Sequence, residues 1–259
     1  MIKKNILKIV EYLGYNITKR NNKKTIYTKE LKKYETKSGI YFLPKHAYSD
    51  VVVQTIISNQ IFDEQIVNLA SKYIKKGTTV LDIGSNFGQM AILFSEMTGD
   101  AGKVYAFDAD DFVYSVLQKN IETNNKKNII PNYGAVHHSE NVTLFFPLQD
   151  FQRFSAFGSY GIDYKNHRGR PVKTLTIDGL NIDSPISFMK VDVQGGDLFA
   201  LQGAKNTIMK HKMPIVFEYE YLFEDELNFN FQQYVDFVNE INYKFEKVIN
   251  GHNFLILPK

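Results

Sequence analysis

The chain contains no cysteine. That excludes disulfides, thiolate metal sites and a cysteine nucleophile. It also fits a reducing compartment, so a cytoplasmic location is the expectation. No stretch of 18 apolar residues occurs, and no membrane-spanning helix is expected. The first twenty residues, MIKKNILKIVEYLGYNITKR, mix charge with apolar positions. They lack both an unbroken apolar run and a small-residue cleavage site, so a secretory signal is not expected. Internal repeats and low-complexity tracts are missing as well.

What is present is ordinary for a globular protein. The 259 residues are 44% apolar and 23% charged, enough for one α/β domain with an extension and a sizeable core. The net charge of +3 hides an asymmetry. Residues 1–45 carry 12 Lys and Arg against 3 Asp and Glu, whereas the remainder carries 19 against 25. A basic arm can meet nucleic acid, anionic lipid or an acidic glycan. A solvated lysine-rich face on an accessory helix is the plainer reading and the one preferred.

Apolar periodicity divides the chain into a basic accessory segment, 1–60, and a larger domain, 61–259. Ile2, Ile6, Ile9, Val10 and Leu13 recur at helical spacing, which predicts an amphipathic helix over 2–13. Asn21-Asn22-Lys23-Lys24 reads as a turn, and 40–43, ended by Pro44, as a short strand. Residues 61–76 predict a helix stopped by lysines and Gly77. From residue 79 strands and helices alternate. Strands are expected at 79–83, 103–108, 128–133, 186–193 and 214–220, with helices at 86–98, 111–124, from about 195 to 211, and 229–241. VTLFF and VKTLTI add short strands around a variable loop, and YKFEKVI with NFLILP form a closing pair. Such alternation predicts a mainly parallel sheet covered on both faces, with an antiparallel pair tolerated at one edge.

The strongest chemical signal is Val80-Leu81-Asp82-Ile83-Gly84-Ser85-Asn86-Phe87-Gly88. An apolar strand runs through a glycine turn into a helix, whose first N–H groups are free to meet a ligand. A dinucleotide fingerprint would read G-x-G-x-x-G; here Asn86 replaces the middle glycine and the last interval is short. Asp82, just before the turn, suits a cation better than a pyrophosphate. S-adenosylmethionine, with its sulfonium and ammonium, meets that requirement. Asp108 ends the second strand twenty residues after Gly88 and can accept hydrogen bonds from both hydroxyls of a ribose. Ser85, Phe87 and Ala109 flank these positions and complete the expected cofactor surface. Lys190 and Asp192 end another apolar strand, and Asp192 should point into the same crevice. Asp197 reads as a first-turn helix acid. His137 and His138 follow the third strand, where an imidazole could act as a base. His167-Arg168, Tyr160 and Tyr164 lie in the variable loop, where arginine and tyrosine would suit an acidic sugar or a phosphorylated acceptor; a solvated loop is the preferred reading.

These motifs together resemble the FkbM family of methyltransferases. The matching pieces are VLDIGSNFG, VYAFDAD, YGAV, VKTLTIDGL, KVDVQGGDLFALQGA and PIVFEYE, across roughly 75–220. The resemblance implies a Rossmann-like α/β methyltransferase domain with a mainly parallel seven-stranded sheet, helices on both faces and an N-terminal helical and strand extension. It implies methyl transfer to oxygen on a glycan, nucleotide sugar or small molecule, with S-adenosylmethionine as cofactor. No metal is expected, because Gln194 carries no charge to hold one. Carried over by position, Asp82, Gly84, Asn86 and Gly88 would hold the methionine part. Asp108 would hold the ribose, and Ala135 would lie near the adenine. Asp192 and Glu218 would face the reacting centre. Asp192 is the leading candidate for a general base; Asp178, Glu218 and His137 are weaker ones. Two departures stand out: Gln194 where the family usually has Glu, and Gly196-Asp197 where it usually has Ala-Glu.

Competing readings remain. Methylation of a base amine is disfavoured, because Asp192-Val193-Gln194-Gly195 stands where an Asn/Asp-Pro-Pro-aromatic loop would be needed. An RNA ribose methyltransferase stays open through the basic arm, although a nucleic-acid partner is not expected. A non-catalytic nucleotide-binding module would be signalled by loss of Asp82 or Asp108, and both are present. An NAD-dependent dehydrogenase is disfavoured by the glycine pattern. Neither the acceptor nor the oligomeric state is set by the residues, and a homo-oligomer is compatible with them.

Overall fold

The computed structural model describes residues 30–148 and 156–259. The helix expected at 2–13 and the turn at 21–24 lie outside the described residues, with most of the basic arm. The chain enters through a hairpin, β1 (Leu31–Thr36) and β2 (Gly39–Pro44), then two short helices, α1 (Val51–Ile57) and α2 (Glu64–Ala70). Then comes the alternation: β3 (Thr79–Ile83), α3 (Gln89–Thr98), β4 (Lys103–Asp108), α4 (Asp111–Thr123) and β5 (Ile129–Tyr133). A side sheet follows, built from β6 (Ala135–Val136), β7 (Thr143–Phe146) and β8 (Arg170–Leu175). The remaining elements are β9 (Ile186–Val191), α5 (Asp197–Gln202), α6 (Lys205–His211), β10 (Ile215–Glu218), α7 (Glu224–Leu227), α8 (Phe231–Glu240), β11 (Tyr243–Ile249) and β12 (Asn253–Pro258).

The main sheet has seven strands in the order β11-β12-β10-β9-β3-β4-β5. β10, β9, β3, β4 and β5 are mutually parallel, and β12 pairs antiparallel with both β10 and β11. Strand order reverses between β3 and β9, so a crevice opens beyond their carboxyl ends, the place where open α/β sheets hold ligands. Every residue of β3 and β9 is buried, as expected for parallel strands covered on both faces. Successive residues of β3 enter different cores: Val80 packs with Phe94, Val104 and Phe188, whereas Leu81 packs with Met189, Leu201 and Ile215. Tyr41, Leu43, Val53 and Ile56, from within the segment read as accessory, join the first core. No helix among the described residues is long and apolar enough to cross a membrane.

Several elements differ from the sequence reading. The helix expected at 61–76 is helical only over Glu64–Ala70. The apolar period persists because Tyr73 and Ile74 still reach the core from a turn. The helix expected at 86–98 starts at Gln89, because Asn86 and Gly88 have positive φ. The long helix expected to end near 211 breaks into α5 and α6. A Cβ at Gly203 would stand 2.0 Å from the His137 carbonyl oxygen, so only glycine lets the chain pass the backbone that follows β6.

Candidate functional site

Three left-handed positions in five residues, Gly84 (φ 81°), Asn86 (φ 51°) and Gly88 (φ 88°), turn the chain from β3 into α3. Gly84 cannot be replaced without cost. A Cβ there would lie 1.7 Å from the backbone oxygen of Asp192, so β3 and β9 approach each other at this point closer than any side chain allows. The turn is fastened to β4. Gly84 and Ser85 donate their N–H groups to the Phe107 carbonyl (3.0 and 2.8 Å). The Ser85 hydroxyl donates to the Asp82 carbonyl (2.7 Å) and accepts from the Phe107 N–H (3.1 Å).

Asp108 sits at the end of β4 and is held by two backbone donors. Its Oδ2 accepts from Asn86 N (3.0 Å) and its Oδ1 from Asp110 N (2.9 Å). Each oxygen keeps lone-pair capacity for a further donor. Burial pushes its carboxyl up to about 7, against the pull of those two N–H groups. Asp82 is fully buried, and neither carboxylate oxygen has a hydrogen-bond partner. Burial raises its pKa, and the Lys190 ammonium, 3.9 Å away, opposes that shift.

Lys190 links the two strand ends. Its Nζ donates to the Gly84 carbonyl (2.8 Å) and pairs with Asp192 Oδ2 (3.2 Å). Burial favours protonation of Asp192, but the Lys190 charge and a donor from Gln194 outweigh it and hold the carboxyl below its ordinary value. Glu218, at the end of β10, goes the other way. Burial and the neighbouring Asp192 charge push it up to about 10. The two carboxyls are thus biased in opposite directions, Asp192 toward the carboxylate and Glu218 toward the carboxylic acid. Gln194 donates from Nε2 to both, 3.1 Å to Asp192 Oδ1 and 2.8 Å to Glu218 Oε2. His252 stands on the outer side, its Nε2 3.4 Å from Glu218 Oε1.

These groups share one cavity of about 420 Å³. Of the residues expected from sequence, Asp82, Gly84, Ser85, Asn86, Phe87, Asp108, Ala109, Ala135, Asp192 and Glu218 line it. Gly88 lies behind the turn, where a Cβ would meet the Leu117 side chain at 2.6 Å. Two candidate bases are placed elsewhere. Asp178 does not line the cavity; it accepts from the N–H groups of Asn206 and Thr207 and from the Thr207 hydroxyl, capping α6. His137 is buried against His138 and Phe199 and is likewise outside the lining. Burial and the adjacent His138 pull its imidazole down to about 4, so it is neutral at physiological pH. Asp197, on the first turn of α5, is fully buried and raised to about 8 by burial and by Asp192.

Tyr160 and Tyr164, read from sequence as members of a solvated variable loop, also line the cavity, whereas their neighbours in the loop were not anticipated. Residues 156–162 form a roof over the turn. Phe157 packs edge-on to Phe87 (5.5 Å between centroids) and beside Phe112 (5.5 Å). A Cβ at Gly158 would come 2.9 Å from Asn86 Nδ2, and one at Gly161 2.3 Å from the Gln194 carbonyl oxygen. The roof is anchored by Asp50. This buried carboxylate accepts from Val53 N (2.8 Å), capping α1, and from Phe157 N (2.6 Å). Asp63 and His252 complete the wall. An aspartate directly before VVVQTII was a legible capping signal; nothing local announced its bond to a residue 107 positions away. No group of three or more metal-ligating side chains occurs among the described residues.

The family model for the methyltransferase FkbM domain matches residues 82–245. A second, for protein-L-isoaspartate(D-aspartate) O-methyltransferase, matches residues 15–138. Among solved structures, the chain is similar to methyltransferase FkbM from Methylobacillus flagellatus KT, at 16% identity and a TM-score of 0.45, over 74% of this chain and 50% of that one. It is similar to an rRNA methylase from Streptococcus thermophilus at 11% identity and a TM-score of 0.44, over 74% and 92% of the two chains. It is also similar to Aeropyrum pernix fibrillarin with natively bound S-adenosyl-L-methionine, at 11% identity and a TM-score of 0.42, over 92% and 85%. No curated protein matches it.

Proposed function

The chain belongs to the methyltransferase FkbM family, its methyl donor is S-adenosylmethionine, and from that premise we propose that it methylates a hydroxyl oxygen of a glycan, a nucleotide sugar or another small molecule. The observation that carries this reading is Asp192, an ionised carboxylate at the carboxyl end of β9 that lines the cavity beside the glycine turn.

The residues present fit the donor. Asp82 offers a buried carboxylate with no hydrogen-bond partner, which an ammonium or sulfonium satisfies and a phosphate would not. Gly84 and Asn86 bring backbone within reach of the methionine part. Asp108 retains acceptor capacity for two ribose hydroxyls. Ala109 and Ala135 supply small apolar surface for the adenine. When bound, the donor supplies a methyl group on positively charged sulfur, already reactive toward a nucleophile.

The chain's own part is alignment and proton removal. Holding acceptor and donor in line supplies about 7–11 kcal/mol of the barrier. A hydroxyl must lose its proton as it is methylated, and a positioned base contributes about a hundredfold or more. Asp192 receives that proton on its carboxylate. Lys190 keeps the carboxylate ionised beforehand, and protonated Glu218 avoids a second negative charge at the same place. The roof residues 156–162 and His252 surround the acceptor end and exclude water.

The test is incubation with labelled S-adenosylmethionine and a panel of glycans, nucleotide sugars and RNA oligonucleotides, followed by mass spectrometry of the product. The expected result is an oxygen-bound methyl on a sugar or small-molecule acceptor. A methyl on nitrogen, or transfer to RNA alone, overturns the reading.

A further inference from the structure

We propose that Gln194 is a positioning residue: its one amide nitrogen bridges Asp192 and Glu218 and holds the Asp192 carboxylate in place to take the acceptor proton. The inference rests on the proposed reading of this site, in which Asp192 takes the acceptor proton.

The geometry is a single amide nitrogen shared between two carboxyl groups, 3.1 Å from Asp192 and 2.8 Å from Glu218. An amide NH2 has two N–H bonds, so both contacts are satisfied at once, and turning the amide over would face its oxygen to a carboxylate. The backbone is strained to achieve it. Gln194 has φ 55°, a left-handed conformation that a non-glycine residue adopts at a cost, and such strain gathers where a side chain must be aimed. From above, Gly161 of the roof lies so close to the Gln194 carbonyl that no larger residue fits. The peptide is held on both sides, and its amide lines the cavity.

The residue type matters in this chain. Glutamate would place a third carboxylate between Asp192 and Glu218 and offer neither a donor. Charges face the pair from every neighbouring element. Lys190 on β9 and His252 before β12 are the basic groups. Asp82 on β3, Asp63 before α2, Asp197 on α5 and Glu220 after β10 are acidic. With the negative groups in excess, each donor aimed at the pair stabilises the ionised form of the carboxyl it touches. Lys190 and Gln194 are those donors.

The test needs no acceptor. Full-length protein carrying 13C-labelled Asp and Glu carboxyls, saturated with S-adenosylhomocysteine, is titrated by NMR. Signals are assigned with Asp192→Asn and Glu218→Gln. Gln194→Met keeps the side-chain length and removes both donors. The expected result is a rise of about one unit or more in the Asp192 titration midpoint, with parental melting temperature and S-adenosylhomocysteine affinity. An unmoved Asp192 midpoint in this folded variant overturns the proposal. If Gln194→Met does not fold, Gln194→Glu decides. Its added negative charge should raise the Asp192 midpoint, and an unmoved midpoint overturns the proposal equally. Turnover of Asp192→Asn on an acceptor tests the base assignment separately, so failure of one reading is distinguishable from failure of the other.

Discussion

Replacing Asp108 with alanine tests the proposed ribose end of the cavity. Its two oxygens each accept one backbone N–H, from Asn86 and Asp110, which leaves both able to accept a ribose hydroxyl. Hydrogen bonds to a charged acceptor contribute at least about 1.5 kcal/mol each. Two of them make about 3 kcal/mol, or roughly a hundredfold in Kd. The pH dependence gives a second handle. Burial places the Asp108 carboxyl at about 7, and only the ionised form accepts from both hydroxyls. Affinity should therefore fall about tenfold between pH 8 and pH 6 in the parent, and stay flat in Asp108→Ala. The stability sign runs the opposite way. The folded state holds this proton across the window from about 4 to 7, where the unfolded state has released it. Asp108 therefore contributes less to the stability of the unliganded fold as pH rises through that window. Unliganded Asp108→Ala should thus melt no lower than the parent at pH 8. Calorimetry with S-adenosylhomocysteine at pH 6, 7 and 8, with thermal melts alongside, checks all three points. A variant that binds like the parent, or a parent whose affinity does not change with pH, would refute the ribose assignment.

Asp192→Asn keeps the shape of the side chain and removes the base, so turnover should fall by about a hundredfold or more with little change in S-adenosylhomocysteine affinity; parental turnover would exclude Asp192. Lys190→Met leaves buried Asp82 and partly exposed Asp192 without their cation, and denaturant unfolding should show a loss of about 3 kcal/mol. A loss under about 1 kcal/mol would mean that the ion pairs at 3.2 and 3.9 Å contribute little. Gly84→Ala drives a Cβ into the Asp192 carbonyl at a left-handed φ. The β3–β9 junction should spread, with a lower melting temperature and loss of S-adenosylhomocysteine binding by calorimetry; unaltered binding would show that the close approach is dispensable.

The elements that follow residue 79 were legible because each has its own local signal. β3 and β9 are apolar runs bounded by turns, and the closing pair alternates on either side of Asn250-Gly251. Asp82, Asp108 and Asp192 could be read as site residues because all three end strands, and strand ends converge in this architecture. The errors have a common origin in long-range contact. His137 follows a strand near the expected cofactor edge, yet its ring turns away to pack on Phe199. Asp178 is a near-strand carboxylate, but its lone pairs are spent on the first turn of α6. Asp50, Asp63 and His252 reach the cavity from segments that no short motif connects to β3. α1 was overlooked because VVVQTII is rich in β-branched residues, which do not favour a helix on their own; an aspartate cap and burial of Val53 and Ile56 set it.

The anchoring of the roof by Asp50 bears on how acceptor preference could be redesigned or diverge. The strand ends that floor the cavity and the covering segment 156–162 belong to separate parts of the chain, which invites transplanting the segment from one relative into another. Yet the Phe157 N–H is fastened to a carboxylate at the entrance of α1, and the Phe157 ring is wedged between two side chains of the Rossmann-like core. A transplanted roof lacking that aspartate and that aromatic would have neither its tether nor its footing. The exchangeable unit is therefore discontinuous: residues 50–57 and 156–162 must travel together.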